Sequence, residues 1–361
     1  MEGETRTRTK RILLFLSCII LSIGNCGGPL LIRLYFLRGG NRIWFSSWLQ
    51  TAGFPALFVP LLVSYHRRRR ACSDESSNTT KFFLINPFLS IAAALLGVLV
   101  GVDNYLYSYG IAKLPVSTSS LIIATQLAFT AGFAFLLVKQ KFTAFSINAV
   151  ILLTVGAVLL GLRAGSDRPA GESNKAYLLG FVLTVGAAAL YGLILPLIEL
   201  SYLKAKQAVS LSLVLEFQMI MGFVGTIFAT VGMIINKDFE VIPREAREFE
   251  LGVTKYYVLA VFSGIVWQFF FVGAIGVITY GSSLLSGVII TVLLPVTEIL
   301  AVIFYHEKFQ AEKGIALFLS IWGFVSYFYG DIKNTIKDNK SSAETEMATA
   351  PTVASTQPQP V

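Results

Sequence analysis

Gly287-Val-Ile-Ile-Thr-Val-Leu-Leu-Pro-Val-Thr-Glu-Ile-Leu-Ala-Val-Ile-Phe304 is an apolar run with one carboxylate, Glu298, inside it. With its apolar flanks it is long enough to cross a bilayer, which takes about 20 apolar residues as a helix. A carboxylate at the bilayer centre costs about 2.5–3.5 kcal/mol on insertion scales, and more by simulation. Glu298 is therefore expected to face a protein interior or a water-filled cavity. Three residues earlier, Pro295 has no amide hydrogen to give to the Thr291 carbonyl. The span should kink there and leave a carbonyl free close to an acid. An ionisable group beside a helix break at membrane depth is the arrangement of a transporter binding site.

The whole chain fits that setting. Of its 361 residues, 55% are hydrophobic and 14% are charged, and the mean hydropathy is +0.68. A soluble globule carries about 25% charged residues. The chain reads as an all-α polytopic membrane protein. Cys18, Cys26 and Cys72 are an odd number and imply no disulfide or zinc framework. His66 and His306 flank spans rather than cluster, which argues against a His-based metal or hydrolase site. No cofactor and no metal are expected. The net charge of +8 comes from basic residues that cap apolar spans, so topology explains it better than nucleic-acid binding.

Residues 1–11 are polar and basic, and the apolar run from Ile12 continues to about Tyr35 with no Ala-x-Ala cleavage site. It reads as an uncleaved first helix. Further spans are expected at about 43–65, 84–109, 115–138, 142–163, 177–200, 208–235, 255–279, 283–305 and 313–331. A connecting loop, 164–176, divides ten spans into 12–163 and 177–333, and the tail 334–361 has a disordered composition. Counting basic residues with the N-terminus in the cytoplasm puts 16 of the 29 inside, among them the run Arg67–Arg70. An even number of spans places both termini inside, so the sequons at Asn78 and Asn339 would be cytoplasmic and unglycosylated.

The two halves match at one offset. Shifted by 167, Pro29 meets Pro196, Tyr35 meets Tyr202, Gly97 meets Gly264, Lys141-Phe142 meets Lys308-Phe309, and Gly156 meets Gly323. Five spans is an odd number, so the second half lies upside down relative to the first. Ten helices in two inverted five-helix repeats is a secondary-transporter plan that permits alternating access.

Polar residues near mid-span mark candidate cavity walls. They are Asn25 before Cys26-Gly-Gly-Pro29, Gln126, Trp267-Gln268 and Glu298, which shares a helix face with Thr291. Gln50, Asp103, Asn104 and Tyr107 lie in outer halves of their spans, and Glu216 and Gln218 in an inner half. Amides also bridge membrane helices at about 0.6 kcal/mol apiece, and that alternative stays open for each of them. Glu199 is expected to reach the headgroup region or pair with Lys204 or Lys206. Amides and aromatic faces suit a planar, uncharged or weakly basic heterocycle. Asn and Gln offer a paired donor and acceptor to an adenine-type edge, and ring stacking adds about 1–3 kcal/mol. A sugar phosphate would want buried cations, and Arg33 and Arg163 read as lying near span ends.

These residues sit in stretches that resemble the plant purine permeases, a branch of the drug/metabolite transporter superfamily. The stretches are Asn25–Leu30, Arg42–Phe45, Gln50–Pro55, Asp103–Gly110, Leu114–Phe129, Leu215–Gln218 and Leu294–Glu298. The resemblance covers about residues 12–333. It implies the ten-helix drug/metabolite transporter fold and proton-coupled uptake of adenine, cytokinins and related heterocycles, with the plasma membrane as the expected location. Alkaloids or vitamin B6-type compounds are the alternative substrates, and a nucleotide-sugar or phosphate exchanger is the more distant reading. Expected partners are thus a small heterocycle, protons and lipid. Glu298 is the first coupling candidate, because burial favours its neutral form in one state and solvent its ionised form in another; Glu216 and Asp103 follow.

Overall fold

A computed structural model describes residues 2–71, 82–114, 119, 122–123, 125–161, 174–208, 210–305, 314–315, 318–319, 321–330 and 332–333. Cys72, Asn78, Asn339, His306, Lys308-Phe309 and the tail 334–361 lie outside them, as does the side chain of Glu298. The described residues are helices and short connections.

The first helix, α1, runs Glu2–Leu37. The second span is broken: α2, Ile43–Thr51, passes through a 3₁₀ turn, Phe54–Leu57, into α3, Phe58–Ala71. Pro55 supplies the break, since it brings no amide hydrogen to the Thr51 carbonyl four residues before it. The fourth helix, α4, Pro87–Lys113, starts at Asn86, whose side chain accepts from Leu89 N, with Pro87 in the first turn. The next two, α5, Gln126–Phe133, and α6, Ala144–Gly161, are shorter, and α5 closes in a π-helical turn, Ala134–Val138. The second half holds α7, Asn174–Ala205, and α8, Leu211–Ile235, the latter capped by Ser210. It continues with α9, Asp238–Glu248, and α10, Val253–Tyr280. The ninth expected span is again two helices, α11, Ser283–Val292, and α12, Leu294–Tyr305. Its break falls at Leu293, two residues before Pro295. Residues described between 314 and 333 are helical.

Among the described residues seven helices are long and apolar enough to cross a membrane, and Gln126–Val138 and Ala144–Gly156 are shorter apolar helices. The core is a bundle in which α1 packs along α10, and α4 lies between α7 and α8. Small residues set those separations. A Cβ on Gly24 would strike the Phe270 backbone, and one on Gly273 would strike Leu21. The outer faces carry exposed Phe15, Leu95, Leu178, Val261 and Phe318, as a lipid-facing surface does.

One helix was not expected. In the acid-rich 236–255 segment, α9 packs on the ends of α8 and α10 and buries Asp238, Glu245 and Ala246. It is fastened by the buried Glu245. Glu245 Oε1 accepts from the hydroxyls of Tyr35 and Tyr256, and Oε2 accepts from Asn41 N at 3.0 Å. Arg42 lies 3.6 Å from Glu245 Oε2 and 3.9 Å from Asp238 Oδ1. Burial pushes the Asp238 carboxyl above the usual aspartate range, and its bond from Asn236 and the nearby Arg42 pull it back.

Candidate functional site

A cavity of about 130 Å³ lies inside the bundle. Helix α1 contributes Asn25, Pro29 and Arg33, and the end of α2 contributes Gln50. Asp103, Asn104 and Tyr107 come from α4, Ser119 and Gln126 from the entry to α5, and Tyr191 from α7. Trp267 and Phe270 come from α10, with Ile290 and Thr297 from either side of the α11–α12 break. The cavity therefore sits in the half of the bundle toward which α1 and α4 end.

One wall is aromatic. Trp267 meets Tyr107 edge-on at 6.2 Å and Phe270 edge-on at 5.4 Å, and Phe270 lies 5.7 Å from Tyr191. A Cβ on Gly28 would run into the Trp267 ring, so glycine there seats the indole. Around this wall are buried polar atoms that have no hydrogen-bond partner among the described residues. They are the donors Asn104 Nδ2, Gln126 Nε2 and Trp267 Nε1, the Ser119 hydroxyl, and the acceptor Asp103 Oδ1. Buried polar groups are normally satisfied, so five bare ones around a single cavity suit a ligand with matching edges.

Of the residues singled out from sequence, Asn25, Gln50, Asn104, Tyr107, Gln126, Trp267 and Asp103 line this cavity. Two of them also bridge. Asn25 Nδ2 donates to the Ile290 carbonyl at 3.2 Å, beside the α11–α12 break, and Gln50 Nε2 donates to Ser108 Oγ at 3.0 Å.

Four others do not line it. Gln218 Nε2 donates to Gln268 Oε1 at 3.1 Å, and Gln268 Nε2 reaches the carbonyls of Gln50 and Thr51 at 3.4 and 3.3 Å. Gln268 is drawn to the backbone where α2 breaks, and Gln218 is drawn to Gln268. The Thr291 hydroxyl bonds back to the Gly287 carbonyl of its own helix. Glu216 is buried but also away from the cavity. Its Oε2 accepts from Leu84 N at 2.7 Å and Ile85 N at 2.8 Å, at the chain's entry to α4. Glu199 pairs with neither lysine in a described contact; it caps α11 by accepting from Ser283 N at 2.6 Å. Glu298 is placed by its backbone alone, one residue after the cavity-lining Thr297.

Sequence reading missed Arg33, Ser119, Tyr191, Phe270 and Thr297. Arg33 corrects the expectation of a cavity without a cation. It sits one turn from the end of α1, yet its long side chain reaches back to the cavity, its guanidinium 5.8 Å over the Tyr305 ring. The repeat gave no signal for Tyr191, because the 167-residue shift carries Asn25 onto Gly192 and only its neighbour Gly24 onto Tyr191.

A family model described as purine nucleobase transmembrane transport matches residues 12–337. The chain is 61% identical over 324 residues to Purine permease 3 of Arabidopsis thaliana, covering 90% of this chain and 92% of that one. It is 55% identical over 355 residues to Purine permease 2 of the same plant, covering 95% and 98%. A crystal structure of a protein only 14% identical superposes with a TM-score of 0.59 over 89% of this chain and 96% of that one. At that identity the likeness extends to the fold alone.

Proposed function

Because this chain belongs to the purine permease family, we propose that it carries purine bases across a membrane by alternating access, holding them in the cavity between its halves. It is a multi-pass membrane permease rather than an enzyme. The observation that carries the binding reading is the aromatic wall faced by bare polar atoms. A 6-aminopurine presents ring nitrogens as acceptors and N–H groups as donors in one plane. Asn104, Gln126 and Trp267 supply donors for the former, and Asp103 supplies an acceptor for the latter. The ring faces stack on Tyr107 and Trp267.

The ten-span, two-repeat organisation is part of the proposal. Its support is that residues 167 apart make equivalent contacts. The pairing of α1 with α10 is matched by that of α7 with α4. Gly97 abuts the Met221 carbonyl, and Gly264 abuts Gly53, the neighbour of the position equivalent to Met221. Thr130 and Thr297 each bond back four residues, to Gln126 and Leu293. With both termini cytoplasmic at the plasma membrane, the cavity occupies the outer half, and substrate enters from outside.

Proteoliposomes test this reading. Labelled adenine should be taken up, and faster when the outside is acidic. Asn104→Leu and Gln126→Leu should each weaken adenine binding about tenfold, the worth of one buried hydrogen bond. Unchanged affinity in both would return these amides to helix bridging, and an absence of purine uptake by the wild type would end the reading itself.

A further inference from the structure

The buried acids among the described residues are Asp103, Glu216, Asp238 and Glu245, and three of them have structural partners. Glu216 accepts two backbone amides, Glu245 accepts two phenols and an amide, and Asp238 accepts from Asn236. Asp103 differs. It is 6% exposed, it accepts no hydrogen bond among the described residues, whereas Glu216 and Asp238 leave only one oxygen bare, and it lines the cavity. The titratable or charged groups that share the cavity with it are Arg33 on α1, Tyr107 on α4 itself and Tyr191 on α7. From α10 the cavity receives Trp267 and Phe270, and from α11–α12 it receives Ile290, Leu294 and Thr297, none of which titrates.

A carboxyl has two binding faces according to its charge. Ionised, it is acceptor only; neutral, it pairs one O–H donor with one acceptor. A purine edge sets a ring nitrogen acceptor next to an N–H donor. The neutral acid matches both atoms, whereas the carboxylate meets the ring nitrogen's lone pair with a negative oxygen. An isolated carboxylate in an apolar cavity also costs more than the neutral acid.

We propose, on the transport reading above, that Asp103 is where proton and purine are carried together. As a neutral carboxyl it donates its O–H to a purine ring nitrogen and accepts the adjacent purine N–H. One proton enters from the side on which the purine binds. It stays on the Asp103 carboxyl through the change of access, and it leaves to water on the other side once the purine has gone. Proton and purine then strengthen each other's binding by the same factor, because coupling between sites is reciprocal. Coupling is seated in the binding site itself, and Glu216 serves only to hold the loop before α4.

The first test needs no variant. In weakly buffered detergent solution, adenine binding to the wild type should take up protons, approaching one per adenine at some pH between about 5 and 9. Wherever that uptake is one proton, affinity should fall about tenfold per pH unit, the slope of one linked proton. Binding without proton uptake anywhere in this range overturns the inference and leaves purine transport standing; absence of adenine binding ends the transport reading instead. The second test is Asp103→Asn, which keeps a donor beside an acceptor and cannot release a proton. It should bind adenine with an affinity flat in pH and exchange labelled for unlabelled adenine, but lose accumulation driven by a pH gradient. Accumulation at the wild-type level by Asp103→Asn would move coupling to another acid, with Glu298 next. A folded Asp103→Asn that binds no adenine while Asp103→Glu does would make the ionised form the ligand, and so overturn the proposal as well.

Discussion

Replacing Gln268 by Leu should unfasten the break in the second span. Gln268 joins three partners: it accepts from Gln218 at 3.1 Å and donates to the Thr51 and Gln50 carbonyls at 3.3 and 3.4 Å. Leucine removes all three bonds. Hydrogen bonds between membrane helices average about 0.6 kcal/mol, so their sum is about 2 kcal/mol. Gln218 is fully buried and its Oε1 already lacks a partner. Losing the bond from its Nε2 as well adds about 1 kcal/mol, the low end for an orphaned buried donor. The loss of about 3 kcal/mol is about a hundredfold in the folding equilibrium. Gln50 is the next link, because it follows the loosened backbone and lines the cavity. Thermal unfolding in detergent should show a lower midpoint, and the adenine concentration for half-maximal uptake should rise about tenfold while the maximal rate falls less. A purely structural amide would lower the amount of folded protein without moving half-saturation. An unchanged midpoint together with unchanged half-saturation would refute the argument that Gln268 holds the break and aims Gln50.

Gly53→Ala should fail to give folded protein in a size-exclusion or melting assay, because the added Cβ meets the Gly264 backbone rather than a side chain that could turn aside. Glu245→Gln weakens acceptors for two phenols and an amide and unpairs Arg42; at about 1.5–3 kcal/mol per bond to a charged group, a loss of about 3 kcal/mol should appear as faster proteolysis at Arg244 and Arg247 on α9. For Asp238 the sign follows from its shift. Burial raises its titration above the usual aspartate range, so the folded chain holds this proton to higher pH than the unfolded chain. Its contribution to stability is complete below the ordinary aspartate range and is lost as pH rises through the raised value. Melting curves from acidic to neutral pH should therefore show a smaller decline for Asp238→Asn than for the wild type.

Depth along a span was legible in the sequence, and direction around it was not. The apolar runs located the seven membrane-long helices of the described residues, and Pro295 announced the break that falls at Leu293. Pro55 was in view too, but the second span read as one helix because its apolar run continues past the break. The amphipathic α9 was hidden by its charge, since a short polar segment between spans reads as a loop. Gln126 and Gln268 sit at similar depths, yet one faces the cavity and the other the backbone of α2. Periodicity separates such faces in a soluble helix because one side is polar. In a membrane bundle both the lipid side and the packed side are apolar, so the contrast disappears. Arg33 was misplaced for another reason: a long side chain on the last turns of a helix can act well away from its own Cα.

The acids show what a sequence can and cannot reveal about function here. Each buried carboxylate carries the same desolvation cost on inspection of the chain, and each looks equally functional. What separates them is how many donors the fold brings to each. A carboxylate that accepts two or three hydrogen bonds is a structural joint, and the joints here lie where helices start or end. Glu216 closes the entry to α4 and Glu245 fastens α9 to the ends of α1 and α10, while the half-buried Glu199 caps α11 with a single bond. Removing any of them should therefore act first on stability. Asp103 lies inside α4 rather than at its end, where the backbone amides are already engaged in the helix and none is left to satisfy it. Its missing donor has to come from solvent, from a proton or from a bound molecule, and the space it lines is the cavity that the purine is proposed to fill.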